Sequence, residues 1–275
     1  ALVEAARHNF KVLEASNIAC FQADAPDFLA RAAESFDLLY LDPARRDGQQ
    51  RKVFRLEDCQ PNVLALQSTL LSRAPRVLVK TAPLLDLRLA VRQLGTVSHI
   101  WVVSVADECK EVLYLLERQA PPADELPITA VALGVNIQQF TFSWQEEQAA
   151  IAPLSAPQQY LYEPDAAILK AGAFRSFAQR FGLSKLHPNT HLYTSELLQE
   201  EVPGRKFRLQ QVCRYDRKSV RAAVPGGRAN LSTRNFPDSV EAVRRQLALA
   251  DGGDDYLFAV TTLGDKKQIL VGRKA

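Results

Sequence analysis

Apolar positions along this chain follow two rhythms. In LVEAARHNFKVLEA (residues 2–15) they recur three or four apart, which predicts a helix, with no capping residue before it. IACFQAD (18–24) and FDLLYLD (36–42) are short apolar runs ending in Asp, and predict buried strands. APDFLARAAESF (25–36) between them predicts a helix, with Pro26 suited to its first turn. A helix over Leu64–Leu71, a strand at VLVKTAP (77–83) and a helix at LLDLRLAVRQLG (84–95), closed by Gly95, continue the alternation. HIWVVSVAD (99–107) and KEVLYLLER (110–118) predict two further strands.

Strands alternating with helices predict an α/β layered sheet, mostly parallel and covered on both faces. The last two strands are too close in sequence for a parallel crossover, so they form an antiparallel hairpin, expected at the end of the sheet. QAPPADELP (119–127) is expected to be a linker. ITAVALGV (128–135) and FTFSW (140–144) predict strands of a second region. EPDAAILKAGAFRSFAQRFG (163–182) predicts one long amphipathic helix, with Pro164 near its start and Gly182 after its end; HLYTS (191–195) predicts a strand. From Arg205 the pattern becomes βαβαββ: strands at 206–215 and 228–236, helices at 216–224 and 238–249, and a hairpin over 255–275. Asp238 is the expected cap of the second helix.

Charge sharpens this division. Residues 204–275 hold 15 Lys and Arg against 7 Asp and Glu, while residues 1–203 hold 19 against 24. A basic third on a slightly acidic body points to a polyanion partner. Arg205, Arg208, Arg214, Lys218, Arg221, Arg228 and Arg234 are the candidate contacts, densest in RYDRKSVR (214–221). A solvated surface that happens to be Arg-rich would look the same.

No run of about 18 apolar residues is present to span a bilayer. Cys20, Cys59, Cys109 and Cys213 form no CxxC pair, which argues against a zinc ribbon and fits free thiols in a reducing cytoplasm. Cys59 or Cys109 could alternatively be a nucleophile. His187 and His191 are four apart, but Pro188 makes a helical metal pair improbable; they are expected in a loop, and no metal site is expected.

In open α/β sheets ligands bind beyond the carboxyl ends of the strands. Those ends carry Asp24, Asp42 with its neighbours, and Lys80 with Thr81. Asp24 could accept from the exocyclic amine of a nucleobase, or simply cap the next helix. Asp42 could accept from a substrate amine, or form a local ion pair with Arg45. Pro43 stiffens the turn, and Arg45 and Arg46 can fork onto phosphate. Lys80 could be only a solvated strand end.

The stretches LYLDPARRD, RLEDCQPNV, VLVKTAPLLD, YEPDAAILKAG, KLHPNTHLYTS and RNFPDSV resemble class I S-adenosylmethionine-dependent methyltransferases that carry a C-terminal THUMP-like domain. The resemblance covers nearly all 275 residues. It implies a Rossmann-like methyltransferase domain over 1–118, a linker and ferredoxin-like region over 119–203, and a THUMP-like basic α+β domain over 204–275. It implies S-adenosyl-L-methionine as cofactor, held in part by Asp24, Ala25 and Asp42, and Asp42, Pro43, Arg45 and Arg46 as the catalytic set.

The family's fourth strand often ends in Asp-Pro-Pro-aromatic in enzymes that methylate amino groups. Here it reads Asp42-Pro43-Ala44-Arg45, which leaves the target atom open. The family's first strand and glycine-rich loop would precede Ala1, so residues 1–275 alone are expected to bind the cofactor weakly or not at all. The expected partner is structured RNA, ribosomal or transfer, methylated at a base nitrogen in the cytoplasm. The alternatives are a non-catalytic RNA-binding protein on the same fold, or a methyltransferase of a small molecule or protein.

Overall fold

The computed structural model describes residues 2–32, 35–44 and 56–275. Its first sheet contains β1 (Leu39–Leu41), β2 (Arg76–Thr81), β3 (Val97–Val105), β4 (Glu108–Glu117), β5 (Ile128–Leu133) and β6 (Gln138–Phe142). Their order is β1-β2-β4-β3-β5-β6. β1 and β2 are parallel and joined through α3 (Val63–Arg73), whose first turn is capped by the Asn62 side chain. α4 (Leu87–Leu94) carries the chain from β2 to β3, starting at the cap Asp86 and ending at Gly95, where φ is +70°. β3 and β4 form the expected antiparallel hairpin, turning on Ala106 and Asp107, both at positive φ.

The hairpin does not close the sheet. The outer edge of β3 still presents backbone N–H and C=O groups, and β5 pairs with it in parallel over six residues; β6 follows antiparallel. The strands expected in a second region therefore extend the first sheet. One face of that sheet carries Val79, Val102, Val112, Tyr114, Ile128 and Phe140 into the main core. The other face, with Leu78, Trp101, Leu113 and Leu115, is only half-buried.

Residues 18–24 form no strand, contrary to their apolar pattern. Ile18 and Phe21 are exposed, and the chain passes directly into α2 (Ala25–Arg31). A short apolar run becomes a strand only where a neighbour takes its hydrogen bonds. Among the described residues β1 has β2 as its single neighbour, so no strand stands beyond it to pair with 18–24. β1 is correspondingly three residues long, and Tyr40 on it is 56% exposed.

A second sheet is built from β7 (Tyr160–Pro164), β8 (Ser184–His187), β9 (Thr190–Ser195), β10 (Gly204–Arg214), β11 (Asn230–Arg234), β12 (Tyr256–Thr262) and β13 (Lys266–Lys274). The order is β11-β12-β13-β10-β7-β9-β8. With α8 (Arg217–Ala223) and α9 (Val240–Leu247), residues 204–274 have the expected βαβαββ succession. α8 and α9 cover one face through Val220, Val243, Leu247, Leu257 and Ile269. On the other face Phe207, Phe258, Val260 and Leu270 meet Leu186 and Leu192 of β8 and β9. The Thr190 hydroxyl donates to the Thr261 carbonyl at 2.6 Å, tying β9 to β12. Ser239, not Asp238, caps α9; the Asp238 carboxylate accepts from the Tyr215 hydroxyl instead.

The long helix expected over 163–182 is two short ones, α6 (Ala166–Ala171) and α7 (Arg175–Arg180). Gly172 at φ +83° ends the first, and Glu163 and Pro164 belong to β7. Breaking there lets both helices pack inward. Ala167, Ile168 and Phe177 join the same core as the first sheet, together with Tyr162 and Tyr193 of the second. The two sheets are thus welded through residues 160–203.

Candidate functional site

Side chains alternate faces along a strand, and β1 and β2 are parallel with Tyr40 opposite Leu78. Two residues on, at the carboxyl ends, Asp42 and Lys80 fall side by side on that same face. Lys80 Nζ donates to Asp42 Oδ2 at 2.5 Å and lies 3.8 Å from Glu111 Oε2. Glu111 belongs to β4, beside the Lys80–Leu113 register pair. The Asp42 side chain is 52% exposed and Lys80 27%. The bond from Asp42 holds the Lys80 ammonium above the ordinary lysine value, against a small opposing effect of burial.

Pro43 is buried behind this pair. Ala44 then pairs with Gln60: its amide donates to the Gln60 carbonyl at 2.7 Å, and its carbonyl accepts from the Gln60 amide at 3.1 Å. The Ala44 carbonyl is therefore engaged by the protein itself. Arg45 and Arg46 lie outside the described residues. Asp24 occupies the N-cap position of α2, with extended backbone, but its side chain makes no capping bond. A carboxylate acceptor followed in sequence by a backbone amide donor is the chemistry the adenine edge of S-adenosylmethionine requires, and Asp24 and Ala25 are both exposed.

Lys80 is no free strand end, as its position alone suggested; its partners stand 38 and 31 residues away in sequence and only the sheet brings them together. Burial pushes the Cys109 thiol up to about 11, so it stays protonated near neutral pH and makes a poor nucleophile. None of the four cysteines is in a disulfide. His187 and His191 stand on β8 and β9, not in a loop. His187 pairs with Asp265 at 3.1 Å, and His191 stacks on Phe174 with ring centroids 3.7 Å apart. Among the described residues no three His, Cys, Asp or Glu gather as metal ligands, and no helix is long and apolar enough to cross a membrane.

The basic residues divide into two groups. Arg208, Arg214, Lys218, Arg221 and Arg228 are exposed. Arg228 also donates to the Asp251 carbonyl, at 3.2 and 3.3 Å. Arg205 and Arg234, with side chains 42% and 32% exposed, differ in converging on Glu163, whose side chain is 1% exposed; both contacts are short. Arg205 further reaches Asp107 at the β3–β4 turn at 3.4 Å, and Asp107 accepts from the Ala166 amide. Next to it Asp165 accepts from Ser104 of β3 at 2.5 Å and caps α6. Glu163 and its two arginines are spent within the second sheet, while the contacts of Asp107 and Ser104 tie that sheet to the first. Sequence reasoning missed this junction, although a glutamate inside YLYEP signals a buried charge in need of a partner.

Residues 160–203 match a family described as a ferredoxin-like domain, and residues 204–274 one described as THUMP domain-like. Proteins from two strains of Mycobacterium tuberculosis, named uncharacterized S-adenosylmethionine-dependent methyltransferases, are 26% identical over 262 residues, 94% of this chain and 68% of theirs. The crystal structure of a Porphyromonas gingivalis protein assigned as a methyltransferase is similar with a TM-score of 0.80 and 37% identity. That similarity covers 87% of this chain and 60% of the other, so this chain spans about three fifths of its solved neighbour.

Proposed function

We propose that this chain, which belongs with the S-adenosylmethionine-dependent methyltransferases bearing a C-terminal THUMP-like domain, methylates a base nitrogen of structured RNA. The observation that carries this reading is the half-exposed Asp42 carboxylate at the carboxyl end of β1, backed by buried Pro43. S-adenosylmethionine, when bound, supplies a sulfonium methyl whose C–S electron pair returns to sulfur as the acceptor nitrogen takes the carbon. Asp24 and Ala25 hold the adenine edge. Asp42 accepts an N–H of the acceptor, aims the nitrogen lone pair, and stabilises the positive charge that grows on it. The excess proton of the nitrogen leaves through this carboxylate to solvent. Arg45 and Arg46, the third and fourth residues after Asp42 in sequence, are the proposed phosphate contacts.

RNA is favoured over a small molecule or protein by the THUMP-like match and by the exposed cations of the same domain. Arg208, Arg214, Lys218, Arg221 and Arg228 are the proposed backbone contacts. Arg205 and Arg234 drop out of that role, because Glu163 already holds them. The target base leaves its stack to reach the strand ends. The test is mass spectrometry of nucleosides from total RNA of a strain lacking the gene. Loss of one methylated nucleoside, restored by the wild-type gene but not by Asp42→Ala, is expected. An unchanged nucleoside profile overturns the RNA assignment.

A further inference from the structure

We infer that Lys80 is a positioning residue: it pins one oxygen of Asp42 so that the other faces the methyl acceptor. The inference rests on the proposed role of Asp42. An aspartate at an exposed sheet edge is free to rotate about χ1 and χ2, and a carboxylate that samples several orientations aligns an acceptor poorly. Here one ammonium proton is committed to Oδ2 at 2.5 Å. Oδ1 is the oxygen left for an incoming N–H. Lys80 itself is held from its other side by Glu111, at 3.8 Å. Three adjacent strands, β1, β2 and β4, therefore each contribute one charged residue to a row on one sheet face.

The row has a built-in order. The Lys80–Asp42 contact is much the shorter, and Lys80 is the more buried partner, so the lysine is the fixed element and Asp42 the presented one. Strands β2 and β4 are paired over six residues, which fixes the Lys80 backbone, and pairing with Val103 of β3 fixes Glu111. β1 is three residues long and is bound along one side only among the described residues. A carboxylate on such a short edge strand gains most from an external tether. Lys80 also brings the charge of the row from −2 to −1, which weakens its repulsion of RNA phosphate.

Two measurements on the full-length gene product test this. The first needs no activity: nuclear magnetic resonance of 15N-labelled lysine follows the Lys80 ammonium in wild type and in Asp42→Asn. Its titration midpoint is expected to fall in the variant. An unchanged midpoint overturns the contact whatever the enzyme methylates. The second measures methyl transfer to total RNA from a strain lacking the gene. Lys80→Met is expected to lower kcat about 10- to 100-fold, the rate equivalent of one charge-assisted hydrogen bond, with KM for S-adenosylmethionine within about threefold. Lys80→Arg, which keeps the charge, restores most of it. In an Asp42→Ala background Lys80→Met has almost no further effect. A loss as large in that background as in wild type shows that Lys80 does not act through Asp42 and sinks the inference. Wild-type protein that transfers no methyl to this RNA overturns the RNA reading, and the ammonium titration then decides the Lys80 contact alone.

Discussion

Replacing Gly204 by alanine tests how closely β7 and β10 must approach within the second sheet. Gly204 opens β10 opposite Pro164, at φ +118°, a backbone region closed to L side chains. A Cβ there would lie 2.3 Å from the Glu163 carbonyl oxygen, 2.7 Å from the Asp165 amide nitrogen and 2.9 Å from the Pro164 carbonyl carbon. All three are backbone atoms, so no side chain can swing aside. Relief requires β7 and β10 to part by about 1 Å, since non-bonded carbon contacts settle near 3.5 Å. That movement disturbs the Glu163 contacts with Arg205 and Arg234 and the Asp165 bond to Ser104.

The strained backbone costs about 1–3 kcal/mol and the overpacking about as much again. The smaller entropy of an alanine in the unfolded chain returns about 0.4–1 kcal/mol. A net loss of about 3 kcal/mol follows, or roughly 6–12 °C in melting temperature for a chain of this size. Gly226→Ala is the control: nothing lies within 4 Å of its added Cβ and its φ is ordinary, so it should melt within about 2 °C of wild type. The assay is far-ultraviolet circular dichroism on heating, paired with tryptophan fluorescence from Trp101 and Trp144, which both report on the first sheet region. If Gly204→Ala melts no earlier than Gly226→Ala, the close approach of β7 and β10 does not contribute to stability.

Glu163→Gln should lower stability by about 2 kcal/mol, while the double change Arg205→Ala with Arg234→Ala costs about 3–5 kcal/mol in denaturant titrations. The difference arises because the arginines are partly exposed and can rehydrate, whereas the carboxylate is buried and cannot. The reverse ranking refutes that asymmetry. Burial, helped by nearby Lys185 and Arg234 and opposed by Glu147, pulls the His191 imidazole down to about 4. The unfolded chain then binds the extra proton first, so stability is full above pH 6.5 and falls as pH drops toward 4, by up to roughly 1.4 kcal/mol per pH unit. His191→Phe should flatten melting temperature against pH in that window, and an identical slope in both proteins removes His191 from the acid response. RNA affinity should fall steeply between low and moderate salt, and Arg214→Ala, Lys218→Ala and Arg221→Ala together should reduce that slope, as read by filter binding. A salt-insensitive affinity contradicts the electrostatic account.

What the chain discloses from its pattern alone depends on whether the partners are near in sequence. α4 and the β3–β4 hairpin were legible because cap, apolar stripe and turn lie within one short window. β5 and β6 were legible as strands, but not as members of the first sheet, because pairing is decided by which edge is left open and periodicity does not record that. Residues 18–24 show the same limit from the other side: an apolar run with no neighbour to bond is not a strand, however good its composition. The helix pattern over 163–182 concealed its break because one glycine is tolerated in many helices, and only the core behind it makes the turn at Gly172 worthwhile.

The chemistry divides along the same line. LDPARRD announced Asp42 without announcing Lys80, because the second group is supplied by the parallel neighbour and enters through register. Glu163 behaves alike. A charge set among apolar residues states that a partner exists, but its partners stand 42 and 71 residues away, on β10 and β11. They came from a basic stretch whose overall charge pointed to RNA. A net positive balance therefore overstates the surface available to a polyanion whenever part of it neutralises the protein's own interior. Counting cations in a sequence becomes a statement about binding only after the buried carboxylates have taken their share.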